Sequence, residues 1–246
     1  MKDKQLKTRL SLQNVSHAYG EVPVLQNLNL TVKPGEFVVL VGPSGCGKTT
    51  LLNILSGYLK PRTGLVQYEG VIRTVYQQDG LFPWLTVREN ISMGLRQTKD
   101  KKVDENELRE LIELIHLQGF ENHYPHQLSG GMRQRVELAR VIAGDSDILL
   151  MDEPFSALDY QTRLRMRVEL VRLLEKRPRT VVFVTHDIEE AVQLADRVLV
   201  LGNRPSYIHR ELQINSAKPR NPTDDGVIEA ARAILDEFGL QVTIAK

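Results

Sequence analysis

Two stretches near the start of the chain alternate apolar and polar positions. Residues 10–19 and 24–32 do so on either side of Gly20-Glu21-Val22-Pro23, which predicts an antiparallel strand pair with one face buried. Tyr19 stands at the edge of this pair. Pro34-Gly35-Glu36 then turns the chain into residues 37–41, a continuous apolar run of the kind that forms a strand buried on both faces. A helical pattern from Lys48 ends near Gly57, and Pro61-Arg62-Thr63-Gly64 is a clear break. Residues 65–78 are strand-like but short, with Glu69-Gly70 as their turn.

The middle of the chain changes character. Asp79-Gly80-Leu81-Phe82-Pro83-Trp84-Leu85 is irregular and rich in large apolar groups. Residues 87–95 and 105–117 are helical in period, separated by the charged run Lys99-Asp100-Lys101-Lys102, a solvated loop. Together with a helix over 129–143 they predict a helical subdomain inserted into an α/β core. Apolar strands over 148–151, 180–184 and 198–201 then alternate with helices over 160–175 and 188–195, which argues a parallel sheet covered on both faces. Beyond Gly202 the pattern weakens into residues 206–214, a polar linker over 215–225 and a final helix over 226–238.

Composition narrows the classes. With 246 residues, 41% hydrophobic and 26% charged, the chain can build one large α/β domain with an ample core. A net charge of +1 gives no global pull toward nucleic acid or an anionic membrane. The one cysteine, Cys46, cannot form an internal disulfide, which fits a reducing cytosol. The charged start Met1-Lys2-Asp3-Lys4 has no apolar run behind it, so no signal peptide is expected. No stretch approaches the roughly 20 apolar residues that cross a bilayer, so any membrane role runs through a partner, from the cytoplasmic side.

The candidate chemistry begins after the 37–41 strand. Gly42-Pro43-Ser44-Gly45-Cys46-Gly47-Lys48-Thr49-Thr50 has the phosphate-binding spacing G-x-x-x-x-G-K-[ST], set between an apolar strand and a helical pattern. Gly42, Gly45 and Gly47 allow a close backbone approach, so that successive N–H groups form an anion nest at a helix N-terminus. Lys48 reaches the β/γ-phosphates of a nucleoside triphosphate and the Thr49 hydroxyl takes a position on Mg²⁺. The bland alternative is a glycine-rich hairpin ahead of a helix. Downstream, the apolar 148–151 strand ends in Asp152-Glu153. Asp152 can hold Mg²⁺ beside Thr49, directly or through water, and Glu153 is left to polarise an attacking water as general base.

Leu128-Ser129-Gly130-Gly131-Met132-Arg133-Gln134 opens another helix in an unusual way. Ser129 is a good N-cap, yet two glycines in the first turn cost helix stability. Either they bare the backbone N–H groups as a second anion site, or they allow close helix packing. One chain has one triphosphate to bind, so a second anion site implies a head-to-tail pair about a two-fold axis, with two composite sites.

In this order, with Gln77 after a strand, Ser156-Ala157-Leu158-Asp159, and Thr185-His186-Asp187, the motifs make the chain resemble the nucleotide-binding subunit of ATP-binding cassette (ABC) transporters, over residues 10–214. The resemblance implies a fold: a P-loop NTPase core with a mostly parallel sheet, an N-terminal antiparallel β subdomain and an inserted α-helical subdomain. The core would span 10–86 and 144–214, the helical subdomain 87–143, and a C-terminal linker and helix 215–246. It also implies roles for residues. Tyr19 stacks on the adenine of ATP, Gln77 senses the γ-phosphate and Mg²⁺, and Ser129, Gly130 and Gly131 close over the other subunit's ATP. Asp159 contacts across the dimer and His186 holds the γ-phosphate, with Glu153, His186 and Gln77 as the catalytic set.

The implied partners are a second copy of the chain, integral membrane permease subunits and, indirectly, an external solute-binding protein, with no nucleic acid. The subunit would sit peripherally on the inner face of the cell membrane. Leu81-Phe82-Pro83-Trp84-Leu85, Asp152 to Asp159, His186 to Ala191 and Arg204-Pro205 resemble importers of nitrate, sulfonates, taurine and bicarbonate. The segment between Gly64 and Gln77 is shorter than in that group, and the short polar tail excludes the regulatory domain of sugar importers. The aromatic segment is either an anchor for a partner helix or packing between the insert and the core. An exporter ATPase, or a soluble ABC ATPase acting on nucleic acid, shares the catalytic motifs.

Overall fold

Residues 9–76, 80–95 and 104–239 are described by a computed structural model. Strands β1 (Leu10–Tyr19) and β2 (Val22–Val32) pair antiparallel as their alternation requires. A third strand, β4 (Thr63–Tyr68), joins the other edge of β1, making a three-stranded sheet. The second sheet has six strands in the order β5-β6-β7-β3-β8-β9: β5 (Ile72–Val75), β6 (Ile148–Asp152), β7 (Thr180–Thr185), β3 (Phe37–Val41), β8 (Arg197–Leu201) and β9 (Ile208–Gln213). Its strands run parallel except β9, which is antiparallel to β8.

Alternate residues of the buried strands feed two cores, one on each face of the large sheet. Val39, Val41, Met151 and Phe183 face the helical side, against Ile91, Val136, Met166 and Val192. Val38, Leu40, Leu150, Val182 and Val184 face the opposite side. There they meet Leu51 and Leu55 of α1 (Lys48–Leu55), and Leu10 and Leu28 of the antiparallel sheet. Burial on both faces is why these strands read as unbroken apolar runs rather than alternating ones.

Two expectations need correction. Glu69-Gly70 does not turn a hairpin: β4 and β5 belong to different sheets, and the chain crosses between them. Asp147 organises the crossing, accepting from the Val71 N–H at 2.8 Å and pairing with Arg9 at 2.7 Å. Gly70 is required there, because a Cβ would lie 2.2 Å from the Asp147 carboxylate. Helix α3 (Glu105–Leu114) stops short of 117, since His116 takes a left-handed φ of 52°. The 215–225 segment is largely exposed, as a polar linker should be, but it is anchored at one residue. Arg220 is buried and its guanidinium donates to the carbonyls of Val192, Gln193, Ala195 and Ile214. It thereby satisfies the C-terminal carbonyls of α6 (Ile188–Leu194), which the helix cannot satisfy itself. The last helix, α7 (Asp225–Glu237), docks beside α6 through the fully buried Val227 and Ile234.

The inserted helices are α2 (Val87–Leu95), α3 and α4 (Gly130–Ala143). Helices α2 and α4 cross closely at Gly94, where a Cβ would meet the Arg140 carbonyl at 2.0 Å. The aromatic segment packs in part. Leu81 packs onto the core and Phe82 lies under the Arg140 guanidinium, 5.2 Å from ring centroid to Cζ, while Trp84 is 69% exposed. Buried Asn90 holds the segment, accepting from the Phe82 N–H and donating to the carbonyls of Phe82, Leu85 and Thr86.

Candidate functional site

Three parallel strands end at one edge of the large sheet, and the candidate groups follow from those ends. Val41 of β3 is level with Thr185 of β7, and Asp152 of β6 with Val184. The open edge beyond the carboxyl ends of parallel strands is where α/β proteins bind ligands. After β3 the chain makes the phosphate loop. Gly42 leaves no room for a side chain, since a Cβ would lie 2.9 Å from the Cys46 Sγ; Gly47 has φ 114° and packs on Val24 and Leu25. Cys46 is buried behind the loop, as a small filler. Helix α1 starts at Lys48 with no side-chain cap, so its first N–H groups are free to face an anion.

The Lys48 ammonium donates to the carbonyls of Gly42 and Pro43, at 2.8 and 3.0 Å, and so lies across the loop. Beside it a cavity of about 420 Å³ is lined by Ser44, Gly45, Gly47, Lys48, Thr49, Thr50, Glu153, His186 and Arg204. A larger groove of about 690 Å³ runs between α3 and α5 (Tyr160–Lys176), but its walls include none of the phosphate-loop residues. Size therefore does not mark the site; the convergence of motifs does.

Asp152 and Glu153 are adjacent yet differ in environment. Asp152 is buried, which pushes its carboxyl above the ordinary carboxylate range. A hydrogen bond from the Thr49 side chain and the nearby Lys48 charge oppose that rise, and the Glu153 charge adds to it. The Thr49–Asp152 pair is an all-oxygen donor set, which suits a hard divalent cation completed by phosphate oxygens. Among the described residues no group of three or more His, Cys, Asp or Glu gathers for a metal. Glu153 takes a left-handed φ of 47°, held by its N–H to the Val184 carbonyl at 2.9 Å. This turns its carboxylate toward His186, with Oε1 3.0 Å from Nδ1. Strain of this kind persists only where surrounding contacts over-determine it.

His186 ends β7, and the next residue, Asp187, caps α6 by accepting from the N–H groups of Glu189 and Glu190. Arg163 and the buried Arg167, both on α5, pair with Asp187 at 3.0 and 2.9 Å, so the base of the His186 loop is fixed on two sides. Tyr19 is half exposed at the end of β1, with its hydroxyl 3.5 Å from Thr50 Oγ1, close to the loop. Ser129, Gly130, Gly131 and Asp159 do not line the cavity. Ser129 caps α4 by accepting from Met132 N–H, Asp159 caps α5 by accepting from Thr162 N–H, and Ser129, Gly130 and Asp159 are all exposed. Gly131 packs on its own chain, where a Cβ would come within 3.2 Å of the Ala157 carbonyl and Leu158. Close packing thus accounts for Gly131, while Gly130 is open to solvent. Gln77 lies outside the described residues.

Arg204 was missed as a site residue. The sequence marks it as part of the Arg204-Pro205 match to importers, but not as a group at the phosphate loop, which follows from the end of β8 lying beside β3. Gln134 was also missed, because a glutamine inside a helix carries no mark of its partners.

The model of the ABC transporter family matches residues 25–156. An uncharacterized ABC transporter ATP-binding protein of Methanocaldococcus jannaschii is 42% identical, over 96% of this chain and 93% of its own. The aliphatic sulfonates import ATP-binding protein SsuB 1 of Rhodococcus jostii is 42% identical, over 92% and 96%. Among solved structures, a dimeric ATP-binding cassette in a post-hydrolysis state bound to ADP and Pi superposes with a TM-score of 0.75. It is 35% identical, over 85% of this chain and all of that one.

Proposed function

The chain belongs to the ABC transporter family as an ATP-binding, ATP-hydrolysing subunit, and we propose that it works as a head-to-tail homodimer that energises an importer. The observation that carries the proposal is the split of the motifs. One chain gathers the phosphate loop, Glu153 and His186 around a single cavity, while Ser129 and Gly130 stand exposed outside it. A two-fold pair would bring the start of α4 from each copy onto the triphosphate held by the other. The dimeric state of the matching cassette supports this arrangement.

In the proposed site Tyr19 stacks on adenine. The backbone from Gly42 to Gly47, with Thr50, cradles the phosphates, and Lys48 swings from its loop carbonyls to the β/γ oxygens. Thr49 and Asp152, with Gln77, would hold Mg²⁺, which would supply charge neutralisation at the phosphates. Glu153 orients and deprotonates the attacking water, and His186 both fixes the Glu153 carboxylate through Nδ1 and offers Nε2 to the γ-phosphate. Asp159 contacts the partner copy. Residues 87–143 act as a helical subdomain on the 10–86 and 144–214 core.

The decisive experiment is Glu153→Gln. Removing the base while keeping shape should leave ATP binding intact, lower turnover by about 10²–10⁴-fold, and give an ATP-dependent dimer on gel filtration. Near-normal hydrolysis would remove Glu153 from its role.

Aliphatic sulfonates are the solute class that the relatives at about 40% identity favour. The exposed Trp84 is the surface proposed to meet a permease helix, from the inner face of the membrane. Among the described residues no helix is long and apolar enough to cross a membrane itself. Co-purification with a permease, and ATPase stimulation by sulfonate-loaded binding protein, would test this part.

A further inference from the structure

We propose that Gln134 couples the two nucleotide sites of the dimer by clamping the backbone that carries Glu153. Gln134 lies one turn into α4 and is buried. Its Nε2 donates to the Glu153 carbonyl at 3.3 Å, and its Oε1 accepts from the Ala157 N–H at 3.1 Å. The amide orientation is dictated by its partners, since a carbonyl can only accept and an N–H can only donate. One side chain therefore staples both ends of the turn from Glu153 to Ala157.

That turn is the part of the site under strain. Glu153 sits at φ 47° without being glycine, and its carbonyl also takes the Ser156 N–H at 3.1 Å. A change in either bond of Gln134 reaches the carboxylate directly through that residue's own backbone. Nearby, Gly131 lies against the Ala157 carbonyl and Leu158, so the first turn of α4 is packed directly on the 153–158 turn.

The consequence follows from where the two ends point. The inference rests on the reading that the start of α4 meets the partner's ATP. On that reading, α4 of one copy is positioned by the nucleotide of the other copy, while Glu153 serves its own. Gln134 then makes the catalytic geometry of one site depend on occupancy of the second. It is a positioning residue, its amide taken up by the Glu153 carbonyl and the Ala157 N–H.

The test is the ATP dependence of hydrolysis in the full-length protein. With coupled sites the wild type should show a Hill coefficient well above 1, toward the limit of 2 set by two sites. Gln134→Met keeps the volume and removes both bonds. It should lower the Hill coefficient to about 1 and reduce turnover, while the affinity of the monomer for a fluorescent ATP analogue stays within about twofold. Gln134→Glu retains only the bond from Ala157 N–H and should show the same loss. It also keeps the test readable if the methionine variant does not fold. A folded variant with the wild-type Hill coefficient overturns the proposal, as does a wild-type coefficient of 1. Gel filtration of Glu153→Gln with ATP separates the causes. A dimer there with no effect at Gln134 sinks the clamp alone; no dimer removes the two-site premise, and the clamp with it.

Discussion

At the scale of single residues, Asp152 and Glu153 differ by environment rather than by type. Asp152 is sealed between Thr49 and the sheet, where burial disfavours its charged form, and Glu153 is rotated toward the cavity and His186. A carboxyl whose folded pKa is raised costs the fold stability as pH climbs from its ordinary value through the raised one. Below that window the cost vanishes. Asp152→Asn should therefore melt higher than wild type at pH 8, with the gap closing as pH falls toward about 4. At this chain length each 1 kcal/mol corresponds to about 2–4 °C in a thermal melt. The same variant should lose Mg²⁺-dependent ATP hydrolysis, a trade of function against stability. A variant less stable than wild type at pH 8 would mean that the Thr49 bond and the Lys48 charge outweigh burial.

At the scale of elements, backbone contact decides cases that propensity would call the other way. Replacing glycine by alanine inside a helix ordinarily gains about 1 kcal/mol. Gly94 of α2 is an exception, because a Cβ would sit 2.0 Å from the Arg140 carbonyl of α4. Backbone cannot yield as a side-chain tip can, so the helices must separate, and overpacking of this kind costs about 1–3 kcal/mol. Gly94→Ala should be destabilised by about that amount in a urea titration. A gain would show that the crossing adjusts freely.

The same distinction explains what was legible in the sequence. The bounds of β1 and β3, the motifs on their strand ends, and the order of helices and strands follow from periodicity and spacing alone. The crossing at Gly70 did not, because pairing partners 76 residues apart, Val71 and Asp147, leave no local trace. Arg220 read as linker for the same reason: its acceptors belong to α6 and β9's end, met only in the fold. Within the candidate site, Lys48, Asp152, Glu153 and His186 were readable as motif members. Gln134 and Arg204 also stand in motif stretches, but their parts depend on neighbours remote in sequence and could not be read there.

At the scale of the molecule, the question is whether a second copy completes the site, and Gly130 separates that from folding. It is exposed at the first turn of α4, and a Cβ there would find only the Arg133 side chain, at 3.8 Å. An aspartate at this place loses glycine's entropic penalty and gains from the helix dipole, together about 0.5–1.5 kcal/mol. Gly130→Asp should thus fold at least as stably as wild type and bind ATP as a monomer. In the dimer the new carboxylate would face the partner's triphosphate, so hydrolysis should collapse. Mixing this variant with Lys48→Ala refines the test. In a mixed dimer one composite site carries both defects and the other neither, so activity should return. Half the dimers in an equal mixture are mixed, each with one intact site, giving about a quarter of wild-type activity if the sites act independently. Coupling through Gln134 would hold the recovery below that. Full hydrolysis by Gly130→Asp alone would instead place the start of α4 away from the nucleotide, and leave the cavity beside Lys48 a complete site within one chain.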